Sequence, residues 1–99
     1  MRKGGRRASR LARQKRPSKF IMPTVLRIGP FRFFFYAGDG NEPPHIHVGR
    51  DKAVAKFWID PVILVSSEDF SRTELNRLTK LVTEHRTTFL EAWNDYFHA

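Results

Sequence analysis

The sequence predicts a single α+β domain: an antiparallel meander of four to five strands, followed by one long helix or two consecutive helices packed on one face. Between residues 24 and 66, short β-branched and aromatic runs alternate with turn residues. Between residues 71 and 97, apolar residues recur at the spacing of a helix, with no Gly or Pro among them. A length of 99 residues leaves room for one domain.

The predicted strands are short runs separated by turn sequences. Gly29-Pro30 is the tightest of these turns and predicts an antiparallel hairpin of the first two strands. Residues 38–41 form a loop of residue types that tolerate positive φ, and Asp60-Pro61 separates the last two strands. The predicted strands cover residues 24–28, 31–37, 45–48, 53–59 and 62–65.

The C-terminal segment begins with a capping box, because Ser71 precedes Glu74 by three residues. We expect a bend or break at residues 85–87, with Thr87 or Thr88 capping a second helix. The apolar stripe of this segment is interpreted as packing onto the sheet. It consists of Leu75, Leu78, Leu81, Val82, Phe89, Leu90, Trp93 and Phe97.

The net charge of +8 comes from the N-terminal segment, because residues 1–21 contain nine Lys and Arg and no acid. Residues 22–99 form the predicted domain and carry nine basic residues against ten acids. Three interpretations of residues 1–21 stay open. The segment is a basic, disordered arm that contacts nucleic-acid phosphates, an organelle transit peptide, or an upstream extension that is foreign to the domain. The side chains that would contact phosphates are Arg6, Arg7, Arg10, Arg13, Lys15 and Arg16.

The composition also bounds the compartment and the chemistry. The chain has no cysteine, which excludes disulfides and thiolate chemistry. No run approaches the ~20 apolar residues that span a bilayer, and the basic segment lacks the apolar core of a signal peptide. We therefore expect a cytoplasmic protein without a membrane partner.

Residues 42–48, Glu-Pro-Pro-His-Ile-His-Val, gather the most side chains capable of chemistry. His45 and His47 should share one face of a strand, because side chains two positions apart point the same way. Ile46 and Val48 then take the core face. Two consecutive prolines stiffen the entry into this strand.

Three roles stay open for the two histidines. The first is structural: a half-exposed imidazole hydrogen-bonds loop backbone or a carboxylate such as Glu42. The second is a metal site with Asp39, since two imidazoles and a carboxylate are the donors of catalytic zinc and non-haem iron. The third is acid–base catalysis by His45, His47 and Glu42 in a small RNase or other phosphodiesterase. Arg50 or Lys52 would then hold the phosphate.

A family resemblance rests on residues 22–29, 32–36, 40–48, 55–58 and 90–93, of which residues 42–48 are the most specific. Over residues 22–97, the chain resembles the bacterial and archaeal domain of unknown function 4160. Genes of that family often lie beside genes for another domain of unknown function, number 2442, in an arrangement like a toxin–antitoxin module. The resemblance therefore implies a small protein partner encoded by a neighbouring gene, and it transfers no catalytic residue.

Three functions are compatible with these features. The favoured one is a component of a toxin–antitoxin-like two-gene module that acts through protein–protein binding. The second is a small RNase, phosphodiesterase or metal-binding enzyme centred on the two histidines. The third is a nucleic-acid-binding regulator that acts through residues 1–21. A divalent metal is the one cofactor that the residues suggest, and a homodimer stays open.

Overall fold

A computed structural model describes residues 23–98, which form a five-stranded antiparallel sheet followed by two helices, as predicted. Strands adjacent in sequence are adjacent in the sheet. Neither helix in this part of the chain is long and apolar enough to cross a bilayer. The predictions for residues 1–21 lie outside the described residues. The elements are β1 (Thr24–Ile28), β2 (Phe31–Phe34), β3 (His45–Arg50), β4 (Ala53–Ile59), β5 (Val62–Glu68), α1 (Arg72–Glu84) and α2 (Arg86–His98).

Tight turns join the strands of the meander. Gly29 takes a φ of 56° between β1 and β2, a backbone conformation that glycine adopts without steric cost. Strand β3 runs through Arg50, so the predicted turn narrows to Asp51-Lys52, and Asp51 carries a φ of 54°. Strand β5 also extends further than predicted, as far as Glu68. Strand β2, in contrast, ends at Phe34 and is shorter than the predicted strand of residues 31–37. The strand order places β1 and β5 at the two edges of the sheet.

The core lies between the two helices and one face of the sheet, which we call the inner face. Alternate residues of β4, beginning with Ala53 and ending with Ile59, are buried there as predicted. From β2, Phe33 stacks on Phe89 of α2 with ring centroids 5.2 Å apart. Full burial of such a ring contributes about 1.5–3 kcal/mol. The helices bury Leu78, Val82, Phe89 and Trp93.

The two helices meet at a break close to the predicted position. Ser71 and Glu74 form the predicted capping box at the start of α1. His85 ends α1, and α2 begins at Arg86, so the prediction of a threonine cap at Thr87 or Thr88 is wrong. Arg86 Nε donates to the carbonyl oxygen of Ile59 at 2.8 Å, a long-range contact that ties the junction to the end of β4.

The loop before β3 differs from its prediction. Asp39–Asn41 forms one turn of 3-10 helix, and none of its residues has a positive φ. The ring of Phe97 in α2 fixes this turn from the other side: a Cβ on Gly40 would lie 2.7 Å from Phe97 Cδ1. Helix α2 therefore sets the position of Asp39, which projects from the same turn.

Candidate metal centre

The two histidines of β3 lie on the face opposite the helices, which we call the outer face. Ile46 and Val48 are fully buried on the inner face, so the predicted division of β3 is confirmed. The expectation of half-exposed imidazoles is wrong, because His45 is 0 % and His47 8 % exposed. His45 is the first residue of β3 and contacts helix α2, because its ring centroid lies 5.0 Å from that of Trp93. Tertiary packing of α2 therefore desolvates a residue that the strand pattern leaves half-exposed.

Asp39 brings the two histidines together. Its Oδ2 atom lies 3.0 Å from Nε2 of His45 and 3.1 Å from Nε2 of His47. All three donor atoms lie within 4.8 Å of one another. The backbone N–H of Tyr36 donates to the same oxygen at 3.0 Å and holds the carboxylate in place. We call Asp39, His45 and His47 the Asp-His-His centre.

The backbone oxygen of Pro43 determines the protonation of His45. This oxygen lies 3.0 Å from Nδ1 of His45 and can only accept, so Nδ1 carries the proton. In the neutral ring, Nε2 then carries a lone pair. Nε2 is buried and makes no hydrogen bond within residues 23–98, although Asp39 Oδ2 is 3.0 Å away, because the contact lacks hydrogen-bond geometry. A lone pair therefore faces a carboxylate oxygen inside the protein.

The two donor separations that involve Asp39 fit a metal ion. Ligands about 2.1 Å from a metal and 90–109° apart are about 3.0–3.4 Å from each other. The two contacts of Asp39 Oδ2, at 3.0 and 3.1 Å, lie in this range. Metal-bound imidazoles commonly donate their other N–H to a backbone carbonyl, as His45 does to Pro43. The centre can thus supply three protein ligands from one turn and one strand.

The second imidazole of the centre, that of His47, is also buried. Desolvation lowers the pKa of His47 from its usual 6.5 and outweighs the opposing effect of the Asp39 carboxylate. His47 is therefore neutral at pH 7, and its Nε2 donates a hydrogen bond to Asp39 Oδ2 at 3.1 Å. Metal binding through Nε2 would require the other tautomer, with the proton on Nδ1. Its ring stays oriented by two aromatic contacts, with the Tyr36 centroid at 4.5 Å and the Phe34 centroid at 5.5 Å.

Glu42, the predicted carboxylate partner of His45, lies beside the centre but is closer to Lys56 than to His45. Its Oε1 is 3.6 Å from Nδ1 of His45 and 2.7 Å from Nζ of Lys56. The hydrogen bond from Lys56 lowers the pKa of Glu42. Glu42 can thus reach the rim of the site, and a catalytic role for it stays a prediction.

The centre borders a depression on the outer face of the sheet. Lys56 pairs with His47 across β3 and β4, and the exposed ring of Tyr36 stands on the other side of His47. The depression has a volume of about 280 Å³ and gives a small molecule access to the His47 side of the centre. It is lined by Tyr36, His47, Val54, Ala55, Lys56, Ser66, Ser67 and Glu68.

Several predicted residues lie elsewhere. Arg50 pairs with Glu74 at the start of α1, with Nε 2.9 Å from Oε2, and its role as a phosphate holder stays a prediction. Lys52 lies in the β3–β4 turn. The predicted nucleic-acid contacts from Arg6 to Arg16 lie outside the described residues. The contact of His45 with the Pro43 carbonyl is the hydrogen bond to loop backbone that the structural role predicts, although the sequence does not indicate which backbone atom accepts it.

Comparison with known proteins places these features in a family. Residues 31–94 match the model of a family described as Domain of unknown function (DUF4160). The match includes the whole Asp-His-His centre and spans most of the sheet and both helices. No curated protein and no solved structure matches the chain.

Proposed function

We propose that this chain, which belongs to the DUF4160 family, binds one divalent metal ion at the Asp-His-His centre and uses it to activate water for hydrolysis. One observation carries the proposal: the buried Nε2 of His45 makes no hydrogen bond within residues 23–98, and in the neutral ring its lone pair repels the Asp39 carboxylate oxygen 3.0 Å away. A cation between the two atoms would convert this repulsion into two coordination bonds. A buried polar atom without a partner otherwise costs about 1–3 kcal/mol.

The donor set determines the chemistry. Imidazole and carboxylate ligands suit Zn²⁺, Fe²⁺ and Mn²⁺. Three protein ligands leave a position for water, and Zn²⁺ in such a site lowers the pKa of that water to about 7. The depression beside His47 would admit the substrate to this position. Asp39 and the two neutral imidazoles would leave one net positive charge on the ion, which favours a bound hydroxide.

Two chromogenic esters test the proposal on the full chain: bis(p-nitrophenyl) phosphate and p-nitrophenyl acetate. We expect EDTA treatment to abolish hydrolysis of at least one ester, and Zn²⁺ or Mn²⁺ to restore it. Asp39→Asn keeps an acceptor for the Tyr36 N–H but removes the charge, and His47→Gln removes one ligand. Both should lower the restored rate at least tenfold, whereas His85→Gln, outside the centre, should not. A rate of ester hydrolysis that is unchanged by EDTA and by both substitutions would overturn the proposal.

We also propose that β5 binds a strand of the small protein encoded by the neighbouring gene, as expected for a toxin–antitoxin-like module. Strand β5 is an edge strand of the sheet. Its consecutive residues Ile63, Leu64 and Val65 are 50 %, 39 % and 41 % exposed. An exposed edge offers unpaired N–H and C=O groups, and a partner strand can pair with them. The exposed apolar side chains would supply contact area beside this ladder.

Co-expression with the neighbouring product, followed by size-exclusion chromatography, tests this second proposal. We expect co-elution at micromolar concentration. Val65→Lys should separate the two proteins by adding a charge to the edge, whereas Ser67→Ala on the same strand should not. Two separate peaks for the unmodified proteins would contradict the proposal.

A further inference from the structure

A second depression on the outer face is rich in cations. It has a volume of about 330 Å³ and lies beside the first, since both are lined by Tyr36 and Val54. Four cationic side chains line it: Arg27 on β1, Arg32 on β2, Arg50 at the end of β3 and Lys52 in the β3–β4 turn. The two depressions therefore adjoin at Tyr36 and Val54, and the first of them borders His47.

Like charges lie close together in this depression. Arg27 and Arg32 are directly opposite each other on β1 and β2, an arrangement of like charges that destabilises a sheet by itself. Within residues 23–98, neither Arg27 nor Lys52 forms an ion pair. The acid at the rim, Asp51, is paired with Arg50 at 3.3 Å. The excess positive charge is therefore complementary to an anion.

Arg32 is held in place in this depression. Its Nε donates to Thr24 Oγ1 at 2.7 Å, and its guanidinium carbon lies 4.4 Å from the centroid of the Phe34 ring. The guanidinium is thus fixed against the sheet surface rather than extended into solvent. A guanidinium that is fixed in this way, with other cationic side chains in the same depression, can bind a phosphate group.

We propose that the cationic depression holds backbone phosphates of a single-stranded nucleic acid, and that a phosphodiester about two nucleotides further along the strand lies at the Asp-His-His centre. Arg32 pairs with Gly49, which lies two residues from His47 along β3, or about 7 Å. This distance is about two nucleotides of a stacked strand, at 3.4 Å each. Tyr36, 38 % exposed between the two depressions, offers a ring on which one base can stack.

The inference rests on the proposed hydrolytic function and names its substrate. In the reaction, the oxygen of the activated water bonds to phosphorus, and the bond from phosphorus to one ester oxygen breaks. The departing oxygen takes the proton that the water released. One phosphodiester and one water thus give a phosphate monoester and a hydroxyl, and no oxidant or reductant is needed.

Binding to the metal-free full chain tests the inference separately from catalysis. The probes are fluorescein-labelled single-stranded 12-mers of DNA and RNA in EDTA, over a series of salt concentrations. We expect Arg27→Ala/Lys52→Ala to raise the Kd at least fivefold for one or both. The slope of log K against log salt should become shallower by about 1.4, since each lost phosphate contact on a single strand contributes about 0.7.

The matched control is Arg72→Ala/Lys80→Ala, which removes two exposed positive charges from α1 and leaves the outer face intact. It should change the Kd by less than twofold, because neither residue lies on the outer face. Any non-specific contribution of residues 1–21 is the same in both double variants and does not affect their comparison. Tyr36→Leu should raise the Kd about fivefold through lost stacking. Equal effects of the two double variants, or no effect of the first, would overturn the inference.

Failure of the proposed metal site gives a different result. A protein that binds the strands through these cations but hydrolyses no ester would refute the hydrolytic function alone. A protein that hydrolyses esters but shows no effect of the first double variant would refute the nucleic-acid inference alone.

Discussion

The backbone oxygen of Pro43 accepts a hydrogen bond from Nδ1 of His45 at 3.0 Å. This contact, two residues apart in sequence, determines which nitrogen of the buried ring faces Asp39. The Pro-Pro sequence fixes the extended backbone that brings the carbonyl under the ring. A local backbone feature thus prepares a side chain for coordination.

We predict that His45 binds zinc through Nε2 and keeps its proton on Nδ1. Long-range ¹⁵N–¹H correlation spectra of the zinc-loaded protein should show this pattern for His45. His85, outside the centre, should have the same spectrum with and without zinc. Coordination through Nδ1, or a His45 spectrum that zinc does not change, would contradict the geometry described above.

Gly40→Ala should destabilise the fold and weaken the metal centre together. The added Cβ would lie 2.7 Å from Cδ1 of Phe97, whose ring packs on Trp93 with centroids 4.2 Å apart. Overpacking of this kind costs about 1–3 kcal/mol. Asp39 belongs to the same turn and should be displaced. Urea unfolding and zinc titration measure the two effects.

Gly38→Ala is the control for this prediction. A Cβ on Gly38 meets no atom within 4 Å, and the φ of this residue is −89°. We expect a free energy of unfolding equal to that of the wild type or up to about 1 kcal/mol higher, because alanine restricts the unfolded chain. Equal destabilisation by both alanines would show that Phe97 yields easily and does not fix the turn.

The sequence predicts the strand that carries the centre better than it predicts the surroundings. Period-two alternation is a local property, so the common face of His45 and His47 follows from two residues of spacing. The burial of His45 depends on Trp93, 48 positions later, and no local pattern encodes that contact. Asp39 was a weaker prediction because the sequence does not show that its loop folds into a 3-10 turn against Phe97.

The same distinction applies to Arg50. Its position next to Lys52 suggests a basic turn near the histidines. The structure pairs it with Glu74, 24 positions away, where the side chain supports the start of α1. The capping box itself was predictable because both its members lie within four residues. Pairings across the fold thus decide the role of a charge that the local sequence leaves open.

Glu74 should make stability depend on pH in the acid range. Hydrogen bonds from the Ser71 backbone and from Arg50 lower its folded-state pKa below the usual 4.5. The folded state therefore binds fewer protons than the unfolded state, and the contribution is fully present above pH 4.5. It declines as pH falls through the lowered pKa. Unfolding of Glu74→Gln should show lower stability at pH 7 and a shallower loss on acidification than the wild type.

Two variants separate this effect from the cap. Ser71→Ala removes the hydroxyl that accepts from the Glu74 N–H, at a cost of about 1 kcal/mol, but keeps the carboxylate and its contacts with Arg50. It should lower stability at pH 7 and retain the loss on acidification. Glu84→Gln, exposed at the end of the same helix, is the control for removing one carboxylate. An unchanged acid profile in Glu74→Gln would contradict the prediction.

The metal content of the tag-free full chain tests the central claim most directly. The protein is stripped with EDTA, exposed to Zn²⁺ or Fe²⁺, passed through a desalting column, and analysed by mass spectrometry for metal and protein. We predict about one ion per chain for the wild type and for His85→Gln, and a large loss in Asp39→Asn and His47→Gln. A wild-type protein that retains no metal, or variants that retain as much as it does, would contradict the account.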